Sequence, residues 1–125
     1  MSECIEGKRE LGFRIEREAE TWFSARFPDA RLLARNFYCK TGELDLIFEK
    51  GPELIFIEVR ARTRGGWVTG IESVTFRKRK RLERAIGRFL SLYRGMARSA
   101  RVDVLVREMA PSGGSWTHYP NVRLD

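Results

Sequence analysis

The sequence predicts an α/β domain in which helices cover a mixed β-sheet. Two segments, residues 8–27 and roughly 73–94, carry apolar side chains at the three- and four-residue spacing of an amphipathic helix. Four short runs rich in β-branched and aromatic residues are predicted as strands: 31–39, 44–48, 54–61 and 102–107. The order is therefore α-β-β-β-α-β.

Each helix has boundary signals of its own. Pro28 ends the first helix, because proline disfavours helical geometry at the residue before it. Ser73 or Thr75 is the predicted N-cap of the second helix. The inward side of the first helix is Leu11, Ile15, Ala19, Trp22, Phe23 and Phe27; that of the second is Val74, Leu82, Ala85, Ile86, Phe89 and Leu92. Residues 111–115 read as a turn-rich loop, and 116–122 are a candidate for a last edge strand.

The charge is strongly uneven along the chain. Lys and Arg total 24 against 17 Asp and Glu, which gives a net charge of +7 and an isoelectric point near 10.0. Residues 1–62 hold 11 basic and 12 acidic side chains, whereas residues 63–125 hold 13 basic and 5 acidic ones. A basic half is typical of proteins that bind nucleic acid. We expect DNA to be the partner of this protein. The alternative is that the charge serves solubility alone.

Several function classes are excluded by composition. A length of 125 residues predicts a single domain over residues 1–125. No apolar run approaches the roughly 20 residues of a membrane helix, and residues 1–4 do not resemble a secretory signal. Cys4 and Cys39 form neither a disulfide framework nor a zinc motif. We therefore expect a reduced, cytoplasmic protein with no membrane partner.

The most specific feature is a hairpin. If its turn is centred between Gly51 and Pro52, the numbers of paired residues sum to 103, so Asp45 lies opposite Glu58 and Glu43 opposite Arg60. All four then share one face, and the other face is apolar throughout: Leu44, Leu46, Phe48, Ile55, Ile57, Val59 and Ala61. A slip by one residue would bury the charges, so this pattern itself selects the register.

Two opposed carboxylates favour a cation between them. Their Cβ atoms would be about 5 Å apart, and like charges that close repel. Mg²⁺ takes oxygen ligands from one or two carboxylates, water and substrate phosphate. The alternative is that Asp45 and Glu58 are structural, neutralised by Arg60, Arg62 or Arg101.

The chain also resembles a known family. The residues that carry the likeness are Asn36, the run Gly-Glu-Leu-Asp-Leu-Ile at 42–47 and the run Ile-Phe-Ile-Glu-Val-Arg-Ala-Arg at 55–62. Further matches are Gly12, Glu16 and Ala19 in the first helix, Ser73, Val74, Lys78 and Leu82 in the second, and residues 101–104 in the next strand. Together these resemble the YraN-like family of uncharacterised bacterial proteins.

This resemblance implies a restriction-endonuclease-like fold related to Holliday-junction resolvases, with a nuclease site that uses Mg²⁺ or Mn²⁺. It implies that Asp45 and Glu58 are metal ligands and catalytic carboxylates, and that Glu16 completes the site. Arg60 stands where such nucleases usually carry lysine; it cannot act as a base, but it can stabilise developing negative charge. Ile15 replaces a usual glycine. The likeness to resolvases also suggests branched DNA and a homodimer.

A cationic run opens the second helix. Residues 77–101 carry ten basic side chains and one acidic one, which favours a phosphate-binding surface over a merely solvated face. The nucleic-acid-binding candidates are Arg62, Arg77, Lys78, Arg81 and Arg84. Trp67, in a glycine-rich loop, is a weaker candidate for stacking on a base. His118, the one histidine, has no indicated catalytic partner and is interpreted as structural.

Two functions follow from these patterns. The first is a nucleic-acid-binding, Mg²⁺-dependent endonuclease that hydrolyses phosphodiesters. The second is a non-catalytic nucleic-acid-binding or adaptor protein that keeps the fold, a reading that Arg60 favours.

Overall fold

The computed structural model describes residues 8–63, 76–110 and 113–124. These residues form two helices and five strands in the predicted order, with a fifth strand at the end. The elements are α1 Lys8–Arg26, β1 Arg31–Cys39, β2 Gly42–Lys50, β3 Glu53–Thr63, α2 Phe76–Leu92, β4 Ser99–Ala110 and β5 Gly113–Tyr119.

The five strands form one mixed sheet in the order β1-β2-β3-β4-β5. Every neighbouring pair is antiparallel except β3 and β4, which are parallel and are joined through α2. A parallel pair needs such a crossover, since a tight turn cannot connect two strands that run the same way. This arrangement of helices around a mixed sheet confirms the predicted α/β, restriction-endonuclease-like fold.

The helices cover opposite faces of the sheet. Ala19 and Phe23 of α1 pack on one face in a cluster with Leu46, Phe48, Ile55, Ile57 and Leu105. Leu82 and Ala85 of α2 pack on the other face with Leu44, Ile47, Leu54, Phe56 and Val102. Neither of these two helices is long and apolar enough to cross a membrane. The central strands β2, β3 and β4 are therefore largely apolar on both faces. A buried polar side chain on these strands needs a specific explanation.

The hairpin register is confirmed for residues 46–50 of β2 and 53–57 of β3, whereas the predicted pairs Asp45–Glu58 and Glu43–Arg60 lie beyond the end of the ladder. Leu46 pairs with Ile57 and Lys50 with Glu53, so the sum of 103 holds across the ladder of β2 and β3. Gly51 adopts a φ of 58°, the left-handed conformation that glycine adopts easily and that a two-residue hairpin turn requires.

Three details of the structure differ from the sequence prediction, and a fourth point is untested. Leu44 packs under α2, not with Leu46 under α1, because the alternation reverses at Asp45. Leu92 is exposed at the end of α2. Residues 113–115 belong to β5, which ends at Tyr119 because the chain then turns and Val122 donates its N–H to the Val102 carbonyl. The proposed caps Ser73 and Thr75, and Val74, lie outside the described residues.

Candidate active site

The candidate site lies where β2 and β3 part. Their ladder ends at the pair Leu46 and Ile57, one residue before Asp45 and Glu58. In place of the next ladder bond, the backbone N–H of Val59 donates to Asp45 Oδ2 at 2.8 Å. Asp45 is therefore inserted between the strands, and only 7% of its surface is exposed. A carboxylate held this way replaces a backbone acceptor.

Three carboxyl groups meet at this point. Asp45 interacts electrostatically with Glu58 on β3 and with Glu16 on α1, and all three side chains line one cavity. Burial and the charge of Glu58 raise the pKa of Asp45 well above its usual value, although the Val59 N–H opposes this. Burial and the charge of Asp45 raise the pKa of Glu16 to about 7. In the absence of a metal ion, holding protons relieves the repulsion within this cluster.

Asn36 fixes Glu16 in place. Its side-chain nitrogen donates to Glu16 Oε1 at 2.6 Å, and its backbone has a φ of 48°. Asparagine tolerates this left-handed conformation better than most residues. The Asn36 backbone lies where β1 should pair with Asp45, between the pairs Arg35–Leu46 and Phe37–Leu44. Asn36 is one of the residues that carry the family resemblance. Its hydrogen bond to Glu16 could not be predicted from the hairpin pattern.

Helix α2 closes the site from the other side. A Cβ on Gly42 would overlap the carbonyl oxygen of Arg81, so only glycine lets α2 approach β2 this closely. The resulting cavity of about 240 Å³ is lined by Glu16, Glu43, Asp45, Glu58, Val59, Arg60, Lys78, Arg81 and Leu82. All four residues predicted to share the charged face of the hairpin therefore line one cavity.

Two cations face these carboxylates. Arg60 lies with its guanidinium 3.9 Å from Glu58 Oε2, and its side chain is 18% exposed. Lys78, on the first turn of α2, lines the same cavity, and partial burial together with the charge of Arg60 lowers its pKa. The cavity thus combines the carboxylates of α1, β2 and β3 with the cations of β3 and α2, which suits a phosphate bound through a metal ion.

The other predicted binding residues divide into two groups. Arg77, Arg81 and Arg84 line a second, open groove on α2, of about 550 Å³, together with Thr41 and Lys80. Arg62 does not join them. Its guanidinium forms a two-pronged ion pair with Glu108 on β4, at 2.7 and 2.9 Å from Nε, because the parallel register places Glu108 beside it.

The observed ion pairs bear on the alternative that Asp45 and Glu58 are structural residues neutralised by arginines. Arg101 bonds to Glu53 and Asp103, and Arg62 bonds to Glu108. Of the three cations considered, Arg60 forms an ion pair with Glu58, and Lys78 and Arg81 of α2 also line the cavity.

The described residues contain no set of three His, Cys, Asp or Glu side chains arranged to enclose a metal ion together. Mg²⁺ does not require such a cage, since it binds through one or two carboxylates and completes its octahedron with water and phosphate. The oxygen donors of Asp45 and Glu58 fit that chemistry. The raised pKa of Asp45 shows that the pair disfavours two negative charges in the absence of a cation.

His118 lies away from this cavity, in the core contact between α1 and β5. Its Nε2 is 2.7 Å from Asp103 Oδ2, and its ring meets Trp22, Phe23 and Phe27 edge-on. These contacts agree with a structural role. Trp67, the weaker stacking candidate, lies outside the described residues.

Comparison with known proteins covers the whole site. A family model described as "Uncharacterised protein family UPF0102" matches residues 15–106. A UPF0102 protein of Pseudomonas syringae pv. syringae is 39% identical over 103 residues, which are 79% of this chain and 83% of that protein. One from Alkalilimnicola ehrlichii is 39% identical over 97 residues, 77% and 75% of the two chains. One from Moorella thermoacetica is 46% identical over 76 residues, 60% and 62% of the two chains.

Proposed function

Since the chain belongs to the UPF0102 family, which is the YraN-like family that its motifs predicted, we propose that it is a metal-dependent endonuclease acting on DNA. One observation carries the proposal: Asp45 is buried between two further carboxyl groups, at a break in the sheet that a cationic helix faces. Carboxyl groups with strongly perturbed pKa values are concentrated at functional sites, where a ligand can neutralise them.

The carboxylates Asp45 and Glu58 would hold Mg²⁺ or Mn²⁺, which lowers the pKa of bound water and polarises the scissile phosphate. Glu16 lies beside Asp45 and is fixed by Asn36, so it orients the attacking water. The water oxygen gives up a proton to solvent and forms a new bond to phosphorus, one phosphodiester P–O bond breaks, and the leaving oxygen takes up a proton from solvent. The products are a phosphate monoester and a free hydroxyl.

Arg60 supplies a fixed positive charge in this scheme. Its guanidinium reaches the rim of the carboxylate cluster beside Glu58, where negative charge grows on the phosphate oxygens in the transition state. Because a guanidinium stays protonated, Arg60 contributes electrostatics and not proton transfer.

The groove of Arg77, Arg81 and Arg84 lies next to the cavity, and Arg81 lines both. It would hold the backbone of a duplex, with little preference for sequence, while a phosphodiester enters the carboxylate cavity. Phosphate contacts of this kind position DNA without reading its bases. The proposal includes both plain duplex DNA and branched DNA as substrates.

The second candidate is a non-catalytic nucleic-acid-binding adaptor. Arg60, in the position where a lysine is usual for this nuclease class, is the observation that favours it. Under this reading the cationic helix keeps its role, whereas the carboxylates bind metal only to order the bound DNA.

Cleavage of linear, nicked and four-way-branched DNA in Mg²⁺ or Mn²⁺ tests the two readings. The endonuclease reading expects cleavage of at least one substrate by the wild type and none by Asp45→Asn, while both proteins bind that substrate. If the wild type binds all three and is as inert as Asp45→Asn, the adaptor reading replaces it.

A further inference from the structure

The candidate site can be reached from both faces of the sheet at Asp45. The two residues that flank Asp45 in β2 pack in different clusters, Leu44 with side chains of α2 and Leu46 with side chains of α1. Asp45 itself lies within the layer of the sheet, where its carboxylate accepts the Val59 N–H. A phosphate held at this carboxylate can therefore be contacted from the α1 face and from the α2 face.

Glu16 reaches the carboxylate cluster from the α1 face. Ala19 lies three residues later on the same side of α1 and is fully buried in the cluster that contains Leu46. The Asn36 side chain donates to Glu16 Oε1 at 2.6 Å, so the carboxyl group of Glu16 is held in this position. In the proposed reaction Glu16 orients the water that attacks phosphorus.

Lys78 reaches the same cavity from the α2 face. Leu82 lies four residues later on the same side of α2 and is buried in the cluster that contains Leu44. Glu16 and Lys78 therefore approach Asp45 from opposite sides of the sheet.

The fold fixes the position of Lys78 and gives it charged neighbours. The Gly42 backbone lies so close to the Arg81 carbonyl that no Cβ fits between them, which sets the distance of this helical turn from β2. Partial burial and the charge of Arg60 lower the pKa of Lys78, although the charge of Glu58 opposes this. An ammonium group in such surroundings gains from a new negative charge beside it.

These two sides of the cavity correspond to the two ends of an in-line displacement. The attacking and leaving oxygens lie on opposite sides of the phosphorus atom. With the water placed by Glu16 on the α1 side, the leaving oxygen departs on the α2 side, toward Lys78. The P–O bond breaks with its electron pair passing to that oxygen, and a positioned donor stabilises the negative charge that develops there.

We infer that Lys78 is the catalytic residue for the leaving oxygen: its ammonium group donates a hydrogen bond to that oxygen and balances its charge. The ammonium group keeps its own proton, and the oxygen takes up a proton from solvent. The strand that ends in this oxygen then lies along the cationic groove of α2, which shares Arg81 with the cavity. This role rests on the proposed function and adds the side of the site on which the cleaved strand departs.

A DNA substrate with sulfur in place of the leaving oxygen tests this role. A thiol ionises with a pKa of about 8.5, whereas an alcohol resembles water at about 15.7, so a thiolate leaves phosphorus with little stabilisation. The ends of the wild-type products identify the leaving oxygen, and sulfur replaces that bridging atom. Each variant's rate is divided by the wild-type rate on the same substrate, so that the effect of sulfur on metal binding cancels.

Removal of the ammonium group is expected to slow cleavage of the oxygen substrate selectively. Lys78→Met should cleave the oxygen substrate roughly 100- to 1,000-fold more slowly than the wild type, but the sulfur substrate within about tenfold of it. Glu16→Gln should be slowed by the same factor on both substrates, because it affects the attack of water. Lys50→Met is the matched control; this lysine lies 3.4 Å from Asp29 Oδ2, and its loss should leave both rates unchanged.

The rates are measured with saturating DNA, so that weaker binding does not contribute to them. Thermal melts confirm folding, and Lys78→Gln takes the place of Lys78→Met if the latter unfolds. Equal slowing of the Lys78 variant on both substrates would overturn the inference, and so would wild-type cleavage of the oxygen substrate by that variant.

Failure of this role differs visibly from failure of the nuclease proposal. A wild type that cleaves DNA, together with equal slowing of the Lys78 variant on both substrates, removes the leaving-oxygen role and leaves the nuclease proposal standing. A wild type that cleaves neither substrate removes both.

Discussion

The backbone N–H of Val59 donates to Asp45 Oδ2 at 2.8 Å, so a carboxylate occupies the place of a strand partner in the middle of the sheet. This bond fixes Asp45 while Glu58 and Glu16 crowd it. The sheet is thereby opened at one point, and α2 approaches that opening over Gly42.

Neutralising Asp45 is expected to stabilise the metal-free protein. Asp45→Asn keeps an acceptor for Val59 and removes the charge that repels Glu58, so the unfolding free energy should rise by about 1 kcal/mol, a melting shift of roughly 4 °C. Thermal melts in EDTA at neutral pH measure this change. A decrease in melting temperature would indicate that the carboxylate serves a structural ion pair.

The stability of the metal-free protein is expected to fall as pH rises toward neutrality. The pKa of Glu16 is raised from 4.5 to about 7, so between these values the folded protein retains a proton that the unfolded chain has released. Stability is therefore greatest below this window and is lost through it, and the raised pKa of Asp45 acts in the same direction.

Denaturant midpoints between pH 4.5 and 7 in EDTA test this dependence, since these are the two pKa values of Glu16. Glu16→Gln should have a shallower decline than the wild type, whereas Glu18→Gln, which lies on the same helix, should keep the wild-type decline. Equal slopes in the wild type and Glu16→Gln would contradict the assignment.

DNA affinity is expected to depend steeply on salt through the α2 groove. Replacing Arg77, Arg81 and Arg84 by alanine should lower the magnitude of the slope of log K against log salt by about 2.7 for duplex DNA, if each contacts one phosphate. Alanines at Arg88, Arg94 and Arg98, exposed cations outside this groove, are the charge-matched control and should change the slope less. An affinity that stays constant with salt would exclude an electrostatic interface.

Arg60 is expected to act by charge alone. Arg60→Lys should retain much of the cleavage rate, and Arg60→Ala should raise the barrier by about 2.7–4 kcal/mol, with Arg60→Gln between them. No rate titration between about pH 6 and 10 should belong to this residue; a rise of rate with pH should shift when Mn²⁺ replaces Mg²⁺. Arg60→Ala cleaving at the wild-type rate would remove Arg60 from the mechanism.

The sequence was sufficient for the hairpin and insufficient for what surrounds it. Alternating apolar residues and the Gly51–Pro52 turn determine the register locally, so the proximity of Asp45 and Glu58 followed from it. The packing of Leu44 under α2 could not be predicted in this way. The side-chain alternation reverses at Asp45, opposite Asn36, and a hydrophobic pattern does not indicate the left-handed backbone of Asn36. The ion pair of Arg62 with Glu108 could not be predicted either, because it depends on the parallel register of β3 and β4.

The most direct test of the account is calorimetric titration of the metal-free protein with Mg²⁺, beside Asp45→Asn and the control Glu83→Gln on α2. If Asp45 and Glu58 hold the cation, the wild type and Glu83→Gln bind one Mg²⁺ with the same affinity, and Asp45→Asn loses at least tenfold, in the range typical of altered metal sites. Equal Mg²⁺ affinity in the wild type and Asp45→Asn, or no binding by either, would contradict the account.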